Sequence, residues 1–233
     1  FPKDFSEADQ TKIRSAASKA ISTNIIPQYR KLKAFFVNEY LPAIYPKAGI
    51  WQHPQGEQYY SYLARSYTTT GMTPKEIHEK GLSEVARIRA EMEKIKVKVG
   101  FKGDLKAFFK HLKTDPKYFY KTPEELLMAY RAISKRIDPE VIKVIKTMPR
   151  MPYGVIPIPD QIAPDTTTAY YNRPAGDGSR PGYYYVNLYK PETRPKWEMM
   201  ALSIHEAVPG HHLQIALQQE LGEVPNFRKY GGY

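Results

Sequence analysis

The chain has 233 residues, no cysteine and 42% hydrophobic residues, so it can bury a core but cannot form a disulfide or a thiolate metal site. Any bound metal must therefore be held by His, Asp or Glu. Basic residues outnumber acidic ones 35 to 24, a net charge of +11. The lysines are scattered over predicted helices, which favours a solvated basic surface over a nucleic-acid-binding face. No apolar run reaches the roughly 18 to 20 residues of a spanning helix, so no transmembrane segment is predicted.

Residues 1–147 are predicted to form a helical region. Two helix starts share one arrangement, in which a threonine cap is followed by a proline at the first helical position and by a capping-box glutamate. They lie at residues 73–76 and 122–125 and predict helices that end near Gly100 and Ile137. Pro27 is expected to break or kink an earlier helix, because proline removes a backbone hydrogen bond.

The pattern changes at residues 148–190, where repeated prolines favour extended chain. Two runs rich in tyrosine and β-branched residues, 169–172 and 183–189, predict an antiparallel β-ribbon. Residues 191–233 return to a helical pattern. The predicted fold class is mainly α with a small antiparallel β-sheet, an α+β fold, and the three regions are expected to form one structural unit.

Three of the six histidines fall within eight residues, at His205, His211 and His212, and Glu206 follows the first of them. In the common zinc-peptidase motif, two histidines four residues apart share one helix face, and the glutamate after the first polarises the bound water. The spacing here is six or seven residues. On an ideal helix His211 points about 120° away from His205, while His212 returns to the same face about 10 Å along the axis.

The residues Pro209 and Gly210 offer a way to correct this spacing. Proline removes a donor and clashes with the carbonyl group four residues earlier, which belongs to His205, and glycine adopts backbone conformations that other residues cannot. A bulge here would move His211 toward the second ligand position, so His205 and His211 are predicted to bind the metal ahead of His212. Glu206 is predicted to be the general base. His212 would then donate a hydrogen bond from behind the site or contact the oxyanion.

The stretch from Leu202 to Gln214, LSIHEAVPGHHLQ, resembles the signature of the bacterial family named domain of unknown function 885. The resemblance extends over effectively the whole chain, with further similar segments at residues 68–70, 84–88, 122–126, 179–183 and 227–233. The family is grouped with the HExxH-type metallopeptidases. The resemblance implies a zincin-like helical fold, a zinc cofactor, and a peptide or small amide substrate. It also implies an exported, periplasmic protein that often carries a lipid anchor.

Members of that family continue beyond the Gly-Gly-Tyr motif into a helix with a Glu-Gly-Trp-Ala-Leu pattern, whose glutamate would be the third zinc ligand. The zincin-like architecture is therefore expected to be incomplete in this chain, as in a fragment of a longer protein. In similar peptidases an edge strand pairs with the substrate backbone. The resemblance thus implies substrate contacts from Tyr183, Tyr185 and Asn187 on the second predicted strand.

Two other functional classes remain open beside the zinc peptidase. One is a hydrolase fold that has lost activity and serves as a peptide-binding module. The other, which the scattered charge makes less favoured, is nucleic-acid binding. The remaining histidines, His53, His78 and His111, are predicted to have no catalytic task.

Overall fold

The structure is a computed structural model that describes residue 1 and residues 4–232. It comprises two compact units, Phe1–Arg89 and Ala90–Tyr233, and the division falls inside one long helix rather than at either of the predicted region borders. Across the described residues, no helix combines the length and the apolar character needed to cross a bilayer.

The first unit is helical throughout its regular structure. Short π-helical turns at Ile21–Ile25 and Phe36–Tyr40 join its first three helices. Pro27 lies in the first turn of the second helix, directly after the first π-helical turn, so the chain changes helix type here and does not break. The helices are α1 Glu7–Ala20, α2 Ile26–Phe35, α3 Leu41–Ala43, α4 Gly56–Thr68 and the first part of α5 Pro74–Lys98.

The second unit contains the end of α5 and the remaining helices. The predicted start signals are confirmed: α5 and α7 each begin at the predicted proline, and the Thr122 side chain accepts a hydrogen bond from the Glu125 N–H. Helix α7 ends at Ile137, as predicted, and a 3₁₀ segment, Asp138–Lys143, follows it. The helices are α6 Leu105–Thr114, α7 Pro123–Ile137, α8 Lys196–Glu206, α9 His211–Gln219 and α10 Asn226–Tyr230.

A three-stranded sheet lies in the second unit, with strands β1 Tyr153–Pro157, β2 Ala169–Asn172 and β3 Gly182–Val186 in the order β1-β3-β2. The predicted antiparallel pairing of β2 with β3 is confirmed. Strand β1 pairs with β3 in parallel, so the sheet is mixed and not purely antiparallel. The prediction that the second strand of the ribbon is an edge is wrong, because β1 covers its other side.

One face of this sheet supports the core. Tyr184 and Val186 of β3 are fully buried, and the Tyr184 ring meets the Tyr130 ring of α7 edge-on at 5.8 Å. Leu126 of α7 and Met199 of α8 belong to the same buried cluster. The fold is mainly helical with a small mixed sheet, which confirms the α+β class, and its core fixes α8 against the sheet.

Candidate metal centre

The helix that would run through the histidines is broken into two. Helix α8 ends at Glu206 and α9 begins at His211, with an irregular backbone at Ala207 and a cis peptide bond before Pro209. Gly210 lies against the His205 carbonyl group, and a Cβ atom added at Gly210 would collide with that oxygen. The sequence predicted a bulge within one helix. The structure instead has a complete break, and the absence of a side chain at residue 210 lets the two helix ends approach closely.

This break brings His205 and His211 together. Their rings lie 4.7 Å apart, centroid to centroid, and meet edge-on at 83°. One ligand atom from each of His205, Glu206 and His211 falls within 4.8 Å of the others. Among the described residues, the histidine and carboxylate side chains that lie close enough together to hold a metal ion are these three. Two imidazoles beside a carboxylate are a donor set that zinc accepts.

Glu206 lies at the base of the cluster and is 6% exposed. Its Oε2 atom is buried and has no hydrogen-bond partner. Burial raises the pKa of this carboxyl group, while His211, His205 and the backbone N–H of Tyr171 act in the opposite direction. A buried carboxylate oxygen without a partner is costly, so it is a feature expected where a cation or a reacting proton will later be met.

His212 lies behind the cluster and not in it. Its side chain is 2% exposed, its Nδ1 atom is 2.8 Å from the Tyr171 hydroxyl, and its ring packs 4.9 Å from that of Tyr153. Burial lowers the pKa of His212, which favours the neutral ring. A side chain so enclosed cannot touch a substrate, so of the two predicted roles, hydrogen bonding from behind the site fits the structure and contact with the oxyanion does not.

Tyr171 was not among the predicted site residues, although the structure places it beside the cluster. Its ring stacks near that of His211, with centroids 6.4 Å apart, and its hydroxyl is held by His212. Gly182 makes this pairing possible, because a Cβ atom there would collide with the Tyr171 hydroxyl. The sequence marked Tyr171 only as part of a β-strand, and nothing in the spacing separates it from the other tyrosines.

The free edge of β2 faces the cluster. The Asn187 N–H donates to the Thr168 carbonyl group, so the backbone groups of Thr168 point toward β3. Because these directions alternate along an antiparallel strand, the backbone groups of Ala169 and Tyr171 point away from β3, toward the free edge. The Tyr171 N–H accordingly donates a hydrogen bond to the Glu206 carboxylate. Glu206 therefore lies beside this edge of β2.

The residues predicted to bind substrate lie elsewhere. Tyr183 and Tyr185 are on the face of β3 opposite to Tyr184, and the Tyr185 ring stacks on Tyr170 at 4.7 Å. Asn187 is 1% exposed, and its amide nitrogen donates to three backbone carbonyl groups, those of Ala163, Thr166 and Thr167. These predictions are wrong because they assumed an edge strand. The central strand turns these side chains away from the cluster or into the core.

Two cavities adjoin the cluster, one that runs along β2 as far as Arg173 and one at the start of β2. The Arg173 cavity, about 420 Å³, contains His211, Tyr171 and Arg173. The Trp197 cavity, about 630 Å³, contains His205 and Trp197. Glu206 and Ala169 border both of them, so the carboxylate lies between two spaces that together follow the free strand edge.

We predict that Gly210→Ala will disrupt the cluster. The added methyl group must push Gly210 away from the His205 carbonyl, which separates His205 from His211. Zinc affinity, measured by isothermal titration calorimetry, should fall by at least tenfold. Gly222→Ala is the matched control, because a Cβ atom at Gly222 meets no atom within 4 Å. Equal zinc affinities for the two variants would contradict this role for the break.

We predict that Glu206→Gln will raise the melting temperature of the metal-free protein at pH 7. Gln has nearly the same shape but no charge, and burying a neutral amide costs less than burying a carboxylate without a partner. A rise of roughly 2 to 4 °C is expected, which is the shift that about 1 kcal/mol produces for a chain of this size. The exposed Glu223 supplies the control variant Glu223→Gln, whose melting temperature should match that of the native protein.

The same comparison has a defined pH dependence. Folding raises the pKa of Glu206 above its ordinary value of 4.5. While the carboxyl group is protonated in both the folded and the unfolded protein, it does not lower the free energy of unfolding. As pH rises through the pKa of the folded protein, the buried group becomes charged and the free energy of unfolding falls. The advantage of Glu206→Gln should therefore shrink between pH 7 and pH 4. An advantage that grows on acidification would contradict this account of the buried carboxylate.

Comparison with known proteins places this chain in a family. No curated protein matches the chain. A crystal structure described as "the putative lipoprotein from Colwellia psychrerythraea" is similar at 28% identity with a TM-score of 0.88. The match covers 99% of this chain and 40% of that one, so the chain spans about two fifths of its relative. The model of the family described as "Bacterial protein of unknown function (DUF885)" matches residues 1–233. The chain belongs to the DUF885 family.

Proposed function

We propose that the protein is a zinc-dependent peptidase or amide hydrolase. The observation that carries the proposal is the convergence of His205, Glu206 and His211 within 4.8 Å, on either side of a helix break. A catalytic zinc ion takes three protein ligands and keeps one position open. His205 and His211 would supply two of them, and the downstream glutamate implied by the family resemblance would supply the third. Zinc held there would supply Lewis-acid activation of a water molecule and a substrate carbonyl group.

Glu206 has the position and the surroundings of a general base. Burial raises the pKa of its carboxyl group, which makes the carboxylate a stronger proton acceptor, and its Oε2 atom is not occupied by another hydrogen bond. The same carboxyl group would then pass the proton to the departing amine. No side-chain nucleophile is needed for this route.

An extended peptide is the substrate that the surroundings favour. The free edge of β2 offers the backbone groups of Ala169 and the carbonyl group of Tyr171 for pairing with another chain, and Glu206 lies beside this edge, where it accepts a hydrogen bond from the Tyr171 N–H. Antiparallel pairing would hold a peptide bond in reach of the carboxylate. The Tyr171 hydroxyl is engaged by His212, so these two side chains hold β2 and α9 together and keep His211 in place.

The test is Glu206→Gln, with zinc content and hydrolysis measured on the same samples. If Glu206 is the general base, the variant keeps stoichiometric zinc by elemental analysis. Its kcat should fall by about 10²- to 10⁴-fold, the range that general-base catalysis supplies. Glu223→Gln should keep both properties. Loss of zinc in Glu206→Gln would make Glu206 a ligand. Undiminished hydrolysis by Glu206→Gln would contradict the proposed mechanism.

A peptide-binding module without activity is the second candidate, supported by the same strand edge, which needs no metal to bind a peptide backbone. The two functions differ in one measurement on the native chain. A peptidase loses turnover when a chelator removes zinc. A binding module shows no turnover before chelation and the same peptide affinity after it.

We also propose that the protein is exported and carries a lipid anchor, a proposal supported by the description of the similar Colwellia protein as a "putative lipoprotein". In detergent-phase partitioning of cells that express it natively, the protein should enter the detergent phase, because an acyl anchor favours the apolar environment. Recovery in the cytosolic fraction would contradict this location.

A further inference from the structure

The wall of the Trp197 cavity is formed by one face of α8. Trp197, Ala201 and His205 are spaced four residues apart, so they lie above one another on one face over about 12 Å of helix. The small Ala201 leaves a gap between the larger side chains at either end. Ala169 at the start of β2 faces this gap from the other side.

Beyond His205 and Glu206, much of the surface of this cavity is apolar. Trp197, Ala201, Leu202 and Ala169 contribute mainly carbon, and Trp197 is 47% exposed. Glu198 also lines the cavity, and its charge would repel an acidic side chain. A half-exposed tryptophan beside a gap of about 630 Å³ offers a contact area that a large apolar side chain would cover.

The position of the Trp197 cavity along β2 indicates which side chain of a bound peptide would enter the cavity. The cavity lies at the start of β2, at residues 167–169, and the Arg173 cavity lies toward its end, with Glu206 between them. Antiparallel pairing is the more stable arrangement, and it runs the peptide from the Arg173 end to the Trp197 end. The residue on the C-terminal side of the cleaved bond then meets Trp197.

We infer that the Trp197 cavity is a specificity pocket that takes a large apolar side chain, such as Leu or Phe, immediately after the scissile bond. This inference rests on the proposed hydrolase function and adds the substrate class. Burying such a side chain favours it over Ala by about 10- to 100-fold in kcat/KM. Acidic residues at that position should be the poorest substrates because of Glu198.

The first experiment uses the zinc-loaded protein and the peptides Gly-Gly-Xaa-Gly-Gly, in which Xaa is Leu, Phe, Ala or Asp. Mass spectrometry of the products locates the cleaved bond. We expect cleavage before Xaa, with Leu and Phe preferred over Ala by about 10- to 100-fold. In Ala201→Leu the gap is filled, and the ratio of Phe to Ala rates should collapse toward one. Met200→Leu, an exposed neighbour on α8 outside the cavity, should keep the native ratio.

A second experiment reports on the pocket without any turnover. The chain has two tryptophans, so Trp51→Phe leaves Trp197 as the single fluorophore. Titration of Gly-Gly-Phe-Gly-Gly into Trp51→Phe/Glu206→Gln should shift the Trp197 emission to the blue as the ring becomes covered. The Asp peptide should give no shift, and adding Ala201→Leu should abolish the shift that the Phe peptide causes.

The two experiments separate the pocket from the hydrolase. If the fluorescence shift depends on Ala201 but the protein cleaves no peptide, the result would support the pocket and contradict the proposed hydrolase activity. Cleavage at equal rates for all Xaa, or a preference that Ala201→Leu leaves unchanged, would contradict the specificity pocket and support the hydrolase function. Preferred cleavage after Xaa would overturn the assignment to the C-terminal side. No fluorescence shift with any of the peptides would also overturn the pocket.

Discussion

The close contact between Gly210 and the His205 carbonyl is the constraint on which the candidate site depends. In a continuous helix His205 and His211 would point about 120° apart. The break after Glu206 allows α9 to start in a new direction, and the two rings then lie 4.7 Å apart. Only a residue without a side chain can occupy position 210 at this distance. Glycine at this position therefore allows the close approach of the His205 and His211 rings.

The sheet stabilises this arrangement from behind. His212 is buried between Tyr153 and Tyr171, and its hydrogen bond to the Tyr171 hydroxyl ties α9 to β2. Gly182 on the central strand leaves the space for that bond. A buried hydrogen bond of this kind contributes only about 1 kcal/mol to stability. Its larger effect is geometric, because it fixes the strand edge and His211 relative to one another.

The buried carboxylate of Glu206 lowers stability, and the proposed reaction would need it in this form. Glu206 places an ionisable oxygen without a partner among the buried side chains of the second unit, close to the core residues Ala207 and Val208. Fully hydrogen-bonded surroundings would stabilise the fold but would lower the pKa of the carboxyl group and occupy the oxygen that a reaction needs.

The sequence by itself determined the α+β class, the starts of α5 and α7, and the segment that carries the candidate ligands, because caps, prolines and histidine spacing are local signals. It also located the disturbance at Pro209 and Gly210. Only the tertiary structure decided that β3 is central, since β1 comes from a proline-rich stretch and its parallel pairing depends on contacts distant in sequence. That pairing moves Tyr183, Tyr185 and Asn187 away from the cluster. It leaves β2 and Tyr171 beside Glu206, a placement that no local pattern encodes.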